Sequence, residues 1–284
     1  MEIKTGTGWR EAADWLGTCR GTVFLLGRTD TGKSTLARYL VYELLRKGKS
    51  VALVDGDVGQ SILAIPGTIA MKAFSISDDL KMPEPDSIFF VGTANPVKRI
   101  GLVIEGMSRM VAAARRRKVH TVIVDTTGLV DGGLGRTLKF AEINAVRPDA
   151  IIALQMHEEL EHILARVCVD ATRVFRFRPS VHIRKRRGGT RKVYRRRKIK
   201  EYFRDAETIH IRLGGLELRY GKELISLKDF DMPRGTLLGL NRGDMTVSIG
   251  LFEKVQDHNS LCVRARPAKG PLRIDRVLIG DPAC

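Results

Sequence analysis

The stretch Gly27-Arg28-Thr29-Asp30-Thr31-Gly32-Lys33-Ser34-Thr35 constrains this chain more than any other. It matches the pattern of Gly, any four residues, then Gly-Lys and Ser or Thr, with no mismatch. The apolar run Thr22–Leu26 before it reads as a strand, and the amphipathic run Leu36–Arg46 after it reads as a helix. In that order, strand, loop and helix make a phosphate cradle. The glycines let successive backbone N–H groups turn into one concavity, and the helix N-terminus adds its partial positive charge. Gly27 to Thr35 are therefore expected to hold the phosphates of a nucleoside triphosphate. Lys33 would reach the terminal phosphates, and the Ser34 hydroxyl would ligate Mg2+.

The chain of 284 residues is long enough for one large α/β domain and a small second one. No segment approaches the ~18 apolar residues of a membrane span, and Met1-Glu2-Ile3-Lys4 begins no signal-peptide core. Cys19, Cys168, Cys262 and Cys284 are scattered, with no C-x-x-C pair. This argues against a disulfide framework or zinc site and fits a reducing, cytoplasmic setting. His157 and His162 lie five apart, not the four that puts two ligands on one helix face, and read as surface residues.

The net charge is +17, and its location matters more than its size. Between Arg173 and Arg204 there are fifteen Lys and Arg against one acid, Glu201, which leaves the rest of the chain near neutral. Val181, Ile183, Val193, Tyr194, Ile199, Tyr202 and Phe203 interleave the cations, so the strip can anchor to a core. An anchored positive strip suits a polyanion, and nucleic acid is the expected partner.

Strand and helix signals alternate through the first two-thirds. Helices are expected at 9–16, 100–117, 134–146 and 158–166, and further strands at 50–54, 87–91, 121–124, 149–154 and 172–177. That alternation argues for a parallel sheet covered on both faces, with ligands at the carboxyl ends of its strands. From Ile209 the pattern changes to short alternating runs, at 209–213, 216–220, 246–252 and 261–265, separated by Gly, Asp, Asn and Pro turns. The predicted fold is α/β: a P-loop NTPase domain with a mostly parallel sheet over 1–204, closed by a basic lid at about 179–204, and a small all-β C-terminal domain over 205–284.

Three further patterns bear on chemistry. Asp55-Gly56-Asp57-Val58-Gly59-Gln60 follows the second strand, beside the phosphate loop. Phosphoryl transfer needs a carboxylate there, to hold Mg2+ or to accept a proton from the attacking hydroxyl. Asp125-Thr126-Thr127-Gly128 ends another strand, where an acid commonly orders the magnesium shell. Ile65-Pro66-Gly67-Thr68 reads as a turn walling the same cleft. Arg191, Arg195 and Lys198 fall on one face of a helix that could close over the phosphates.

Taken together, these motifs resemble the polynucleotide 5'-hydroxyl kinase family, which includes the RNA kinase of the pre-mRNA 3'-end cleavage machinery, the ribosomal-RNA-processing kinase and archaeal relatives. Thr29–Thr35 is similar to its phosphate loop, Asp57-Val58-Gly59-Gln60 to its second motif, and Ile65–Thr68 to the turn that follows. Thr126-Thr127-Gly128 resembles its clasp, and Arg191-x-x-x-Arg195 with Glu201-Tyr202-Phe203 resembles its arginine lid. The likeness runs from about 20 to 204, and more faintly through 234–240.

The resemblance implies ATP- and Mg2+-dependent phosphorylation of a 5'-hydroxyl on RNA, and in many members on DNA. It makes Lys33, Asp57, Arg191 and Arg195 catalytic, with Asp57 the general base. Ser34, Asp55 and Asp57 are the candidate metal residues; Gln60, Thr126, Thr127, Gly128, Arg184 and Arg186 are the candidate substrate residues. Leu129 stands where members often carry a stacking Trp, which shifts single-strand recognition toward backbone charge. About twenty residues precede the first strand, a plan more like an archaeal member. Two other readings stay open on the residues alone: a switch or assembly ATPase, and an ATP-bound RNA-processing scaffold without catalysis.

Overall fold

Strands buried on both faces must be apolar at every position, and the segments before the chemical motifs have that character. The computed structural model describes residues 6, 8–75, 84–167, 172–180, 188–227, 231–257, 259–267 and 272–283. The chain runs through α1 (Trp9–Thr18), β1 (Gly21–Gly27), α2 (Lys33–Arg46), β2 (Val51–Gly56), β3 (Thr68–Phe74) and β4 (Ser87–Phe90). A 3-10 turn (Pro96–Arg99) leads into α3 (Ile100–Arg116), β5 (Thr121–Thr126), α4 (Gly132–Val146), β6 (Ala150–Leu154), α5 (Glu161–Val167) and β7 (Arg173–Phe177). The basic segment follows as α6 (Gly188–Tyr202). The remaining strands are β8 (Glu207–Arg212), β9 (Glu217–Tyr220), β10 (Glu223–Leu224), β11 (Thr236–Arg242), β12 (Met245–Asp257), β13 (Ser260–Ala265) and β14 (Arg276–Pro282).

The centre of the sheet is the parallel set β2-β5-β1-β6-β7. Alternation along β1 sends Phe24 and Leu26 to the face covered by α3, α4 and α5, and Val23 and Leu25 to the face covered by α1 and α2. β1, β2 and β5 therefore end together, and Gly27, Asp57 and Asp125 emerge at one edge of the layer. The sheet is not parallel throughout. β3 and β4 extend it antiparallel beyond β2, and β3 is absent from the sequence reading. The run Thr68–Phe74 begins inside the segment read as a turn and is too short to carry a clear period.

The C-terminal strands join the same sheet through one residue pair, Thr246 opposite Ile88, where the Phe90 amide donates to Thr246 Oγ1 at 2.9 Å. They also hold a separate apolar cluster that includes Leu238, Leu240, Val263 and Ile279. β11 and β14 lie inside this group and were not resolved as strands by the sequence pattern. Another cluster joins Ile199 of α6 and Phe203 just after it to Phe90, Leu237, Ile249 and Leu278, so the basic helix is rooted at its C-terminal end. Cys19 and Cys262 are free thiols; Cys168, Cys284, Val181 and Ile183 lie outside the described residues. Among the described residues no helix is long and apolar enough to cross a membrane.

Candidate active site

The phosphate loop leaves β1 at Gly27, where an added Cβ would lie 2.9 Å from the Leu154 carbonyl, so only glycine fits beside β6. Asp30 and Gly32 take positive φ, 58° and 93°, which turn the chain back into the start of α2. Gly32 is the N-cap and offers no side-chain acceptor, so the first-turn amides keep their capacity for an anion. Thr31 Oγ1 closes the loop by donating to the Arg28 carbonyl at 2.8 Å. Lys33 folds over the loop, its Nζ donating to the carbonyls of Gly27 (2.9 Å) and Arg28 (2.7 Å). Burial lowers its pKa to about 8, against the opposing pull of Asp125 and Asp57. Ser34 is half-buried and Thr35 is exposed.

Three carboxylates meet this loop, and their surroundings differ. Asp55 is fully buried, and its Oδ2 accepts from Ser61 Oγ (2.7 Å) and from the amides of Ile62 (2.6 Å) and Leu63 (2.9 Å). Its Oδ1 faces the Asp57 amide at 3.3 Å. Burial raises its pKa while these donors hold it down, and together they shape the 57–63 loop around it. Asp57 is part-exposed. Its Oδ1 accepts from the amides of Gly59 (3.0 Å) and Gln60 (3.1 Å) in a tight turn, which fixes the carboxylate plane. Asp125 is fully buried, with Oδ1 held by the Thr126 amide at 3.0 Å and Oδ2 without a hydrogen-bond partner. Burial pushes its pKa up to about 7, while Lys33 and the Ser34 hydroxyl pull it down.

Thr126 Oγ1 donates to the Leu25 carbonyl at 2.8 Å, and Thr127 Oγ1 accepts from the Leu129 amide at 3.1 Å. Both threonines are buried and shape the loop that carries Gly128. That glycine lies against the phosphate loop: an added Cβ would sit 2.2 Å from the Thr29 nitrogen. Arg28 reaches across to Asp131 at 2.6 Å and ties the same two loops at the surface.

Helix α6 lies over the phosphate loop. Arg191 Nη2 pairs with Asp30 Oδ2 at 2.9 Å, and its Nε is buried with no partner. Tyr194 donates its hydroxyl to the Ser61 carbonyl at 2.8 Å, which binds the helix to the loop organised by Asp55. Arg195 Nε is 3.4 Å from the Arg191 carbonyl, on the part-buried side. One helical turn on, burial lowers the pKa of Lys198, opposed by Asp55. The structure thus brings the phosphate loop, Asp55, Asp57, Gln60, Asp125, the 126–128 loop, Arg191 and Arg195 to one end of the sheet. Arg184 and Arg186, with Lys185 and Arg187 beside them, lie outside the described residues.

Sequence reading passed over a cavity of about 540 Å³ lined by Gln155, Met156, His157, Arg176, Phe177 and Arg178. It opens where β6 and β7 end, beside Gly27, because Gly27 pairs with Leu154 and Leu154 with Phe177. A cleft made by two consecutive parallel strands has no local pattern; its signal is topological. Arg99 was also missed. It donates to the carbonyls of Val91 (3.0 Å) and Ile279 (2.9 Å) and clamps the C-terminal strands to the 91–99 segment.

Residues 27–205 match the family described as mRNA cleavage and polyadenylation factor CLP1 P-loop. The chain is 35% identical over 210 residues to a polyribonucleotide 5'-hydroxyl-kinase of Methanocaldococcus jannaschii, covering 72% of this chain and 57% of that protein. It is 35% identical over 192 residues to one of Pyrococcus horikoshii, covering 66% and 51%. The polyribonucleotide 5'-hydroxyl-kinase Clp1 of Danio rerio is 27% identical over 282 residues, covering 92% and 62%. The chain therefore spans about half to three-fifths of the length of these curated relatives. Among solved structures, a Clp1p–Pcf11p complex superposes with a TM-score of 0.73 at 16% identity, over 98% of this chain and 80% of that one, a likeness of fold.

Proposed function

This chain belongs to the CLP1 P-loop family, and from that premise we propose that it transfers the γ-phosphate of ATP to the 5'-hydroxyl of RNA. One observation carries the reading. Of the buried side-chain polar atoms without a hydrogen-bond partner among the described residues, two belong to this site, Asp125 Oδ2 and Arg191 Nε. One is a carboxylate oxygen of the residue beside Lys33 and Ser34, and the other a guanidinium donor of the residue paired with Asp30. A cation and a phosphoryl group are the species that would satisfy them.

The residues fit Mg2+ on that ground. Ser34 would ligate it and Asp125 would order its shell, with Asp57 and Asp55 further out. Bound there, the ion would offset charge on the phosphates. The other steps belong to the chain itself. Asp57 is the general base: one oxygen is pinned by Gly59 and Gln60, and the other takes the proton of the 5'-hydroxyl. Lys33 exchanges its two carbonyl contacts for phosphate oxygens. Arg191 and Arg195 meet charge developing on the transferred group. Gln60 and the 126–128 loop position the 5'-terminal nucleotide. The cavity at Gln155–His157 and Arg176–Arg178 takes the adenine.

On this reading residues 1–204 are the kinase domain and 205–284 a β-rich companion, a division supported by the separate C-terminal cluster. The experiment is transfer of labelled γ-phosphate from ATP to matched RNA and DNA oligonucleotides with free 5'-hydroxyls. Label on the 5'-hydroxyl RNA, and none on its 5'-phosphorylated twin, is the expected result. ATP hydrolysis at the same rate with or without oligonucleotide, and no label transferred, would overturn the kinase reading in favour of a switch ATPase.

A further inference from the structure

The opposite end of the sheet carries a second concentration of cations that the kinase reading leaves without a role. Outside the 173–204 strip the chain has a net charge of only about +3, yet its cations are not evenly spread. The connections entering β1, β2, β5 and β6 all lie at the amino ends of these strands. Together with the end of α3 they supply Arg20, Lys49, the run Arg115-Arg116-Arg117-Lys118, and Arg147. Arg20, Arg115, His120 and Arg147 line a cleft of about 340 Å³ there. The carboxylate lining it, Asp149, turns Oδ2 onto the Thr22 amide at 2.7 Å.

Arg115 makes the floor. Its Nη2 donates to Thr22 Oγ1 (3.0 Å) and to the carbonyls of Val146 (2.8 Å) and Arg147 (3.2 Å), so it caps the end of α4. The cations around it do no such work. Arg116, Arg117 and Lys118 are exposed at the C-terminal end of α3, and positive φ at Lys118, 53°, turns the chain there. Among the described residues none of Arg20, Lys49, Arg116, Arg117, Lys118 or Arg147 forms an ion pair. Nearby Arg46 and Lys47 do, with Glu43 and Asp14. Unpaired like charges gathered at one rim repel, and a polyanion relieves that repulsion. No exposed large apolar residue lines the cleft, which disfavours a membrane surface, where apolar anchors accompany the charge.

We propose that this rim binds the phosphodiester backbone of single-stranded RNA, away from the 5'-end that occupies the phosphate-loop site. Which RNA it is rests on the kinase reading above; the surface itself does not. β1, seven residues long, separates the two ends by about 20 Å at ~3.3 Å per residue. At an axial rise of roughly 3.4 Å per nucleotide in a stacked strand, spanning that distance takes at least about six nucleotides. A tetranucleotide occupies the catalytic end alone.

The test compares the whole chain with an Arg116→Ser/Arg117→Ser/Lys118→Ser variant. Fluorescence anisotropy follows a 5'-hydroxyl tetranucleotide and an oligonucleotide of about thirty residues across a KCl series. The expected result is loss of affinity for the long RNA alone, with its log K against log salt slope reduced by about 2, at ~0.7 per phosphate contact. Tetranucleotide affinity and Tm stay at wild-type values. An unchanged long-RNA slope, or an equal loss for both lengths, overturns the proposal. So does lost binding to phosphatidylserine vesicles with RNA binding intact, which would make the rim a membrane contact. Because binding is read without phosphoryl transfer, absent kinase activity with this slope change retires the kinase reading and leaves the surface standing. Kinase activity with an unchanged slope does the reverse.

Discussion

Gly128→Ala tests whether the 126–128 loop sets the shape of the phosphate loop. The added Cβ would lie 2.2 Å from the Thr29 nitrogen, 2.4 Å from its Cα and 2.5 Å from its Oγ1. Two of these atoms are backbone, so no rotamer change relieves the contact, and the loops must part by about 1 Å to regain van der Waals distance. Overpacking of this kind costs about 1–3 kcal/mol. At about 2–4 °C per kcal/mol, that is a Tm fall of several degrees. The functional cost is larger, because a displacement of about 1 Å in a catalytic frame is worth on the order of 10²-fold in rate. The control is Gly133→Ala, the second residue of α4, where an added Cβ meets nothing within 4 Å. There alanine should stabilise the helix by roughly 0.5–1 kcal/mol. Thermal unfolding of both variants, with kcat/KM for ATP, is the assay. Wild-type Tm and kcat/KM in Gly128→Ala would show that the two loops do not constrain each other.

Asp57→Asn is expected to leave Tm and ATP affinity nearly unchanged and to cut turnover by 10²-fold or more, since the amide keeps the turn and loses the base. Asp55→Asn should instead lower Tm by an amount matching about 1–3 kcal/mol, because an amide NH2 would then face the donors at Ser61, Ile62 and Leu63; equal Tm in the two variants would refute that division of roles. ATP affinity should fall as pH rises above about 8. Burial lets Lys33 lose its proton there in the free protein, and the triphosphate must restore it; calorimetric titration of wild type against Lys33→Arg, in which this alkaline decline disappears, is the check. Arg191→Ala should lower kcat by about 10³-fold or more with little change in KM for RNA; a change confined to KM would make the lid a polyanion clamp.

Local order in this protein was legible from residue order. The strand, loop and helix around Gly27–Thr35 are contiguous, and the glycines, Lys33 and Ser34 act within nine residues of one another, so hydrogen bonds of short reach determine the cradle. The apolar runs that became β1, β2, β5 and β6 declare double burial in their composition, and the spacing of Arg191 and Arg195 declares a helix. Tertiary structure decided what each motif faces. Nothing near Asp55 in sequence separates its role from that of Asp57. Its complete burial and its bonds to Ser61, Ile62 and Leu63 follow from where the sheet ends. The pairing of Asp30 with Arg191 spans 161 residues, and the Arg99 clamp on Ile279 spans 180. The contact of Gly128 with Thr29, the cleft between the ends of β6 and β7 and the cationic rim at the amino ends likewise join segments far apart in the chain. Such contacts leave no periodic trace, because the chain-closure entropy they must overcome is supplied by the core as a whole and not by the residues that meet.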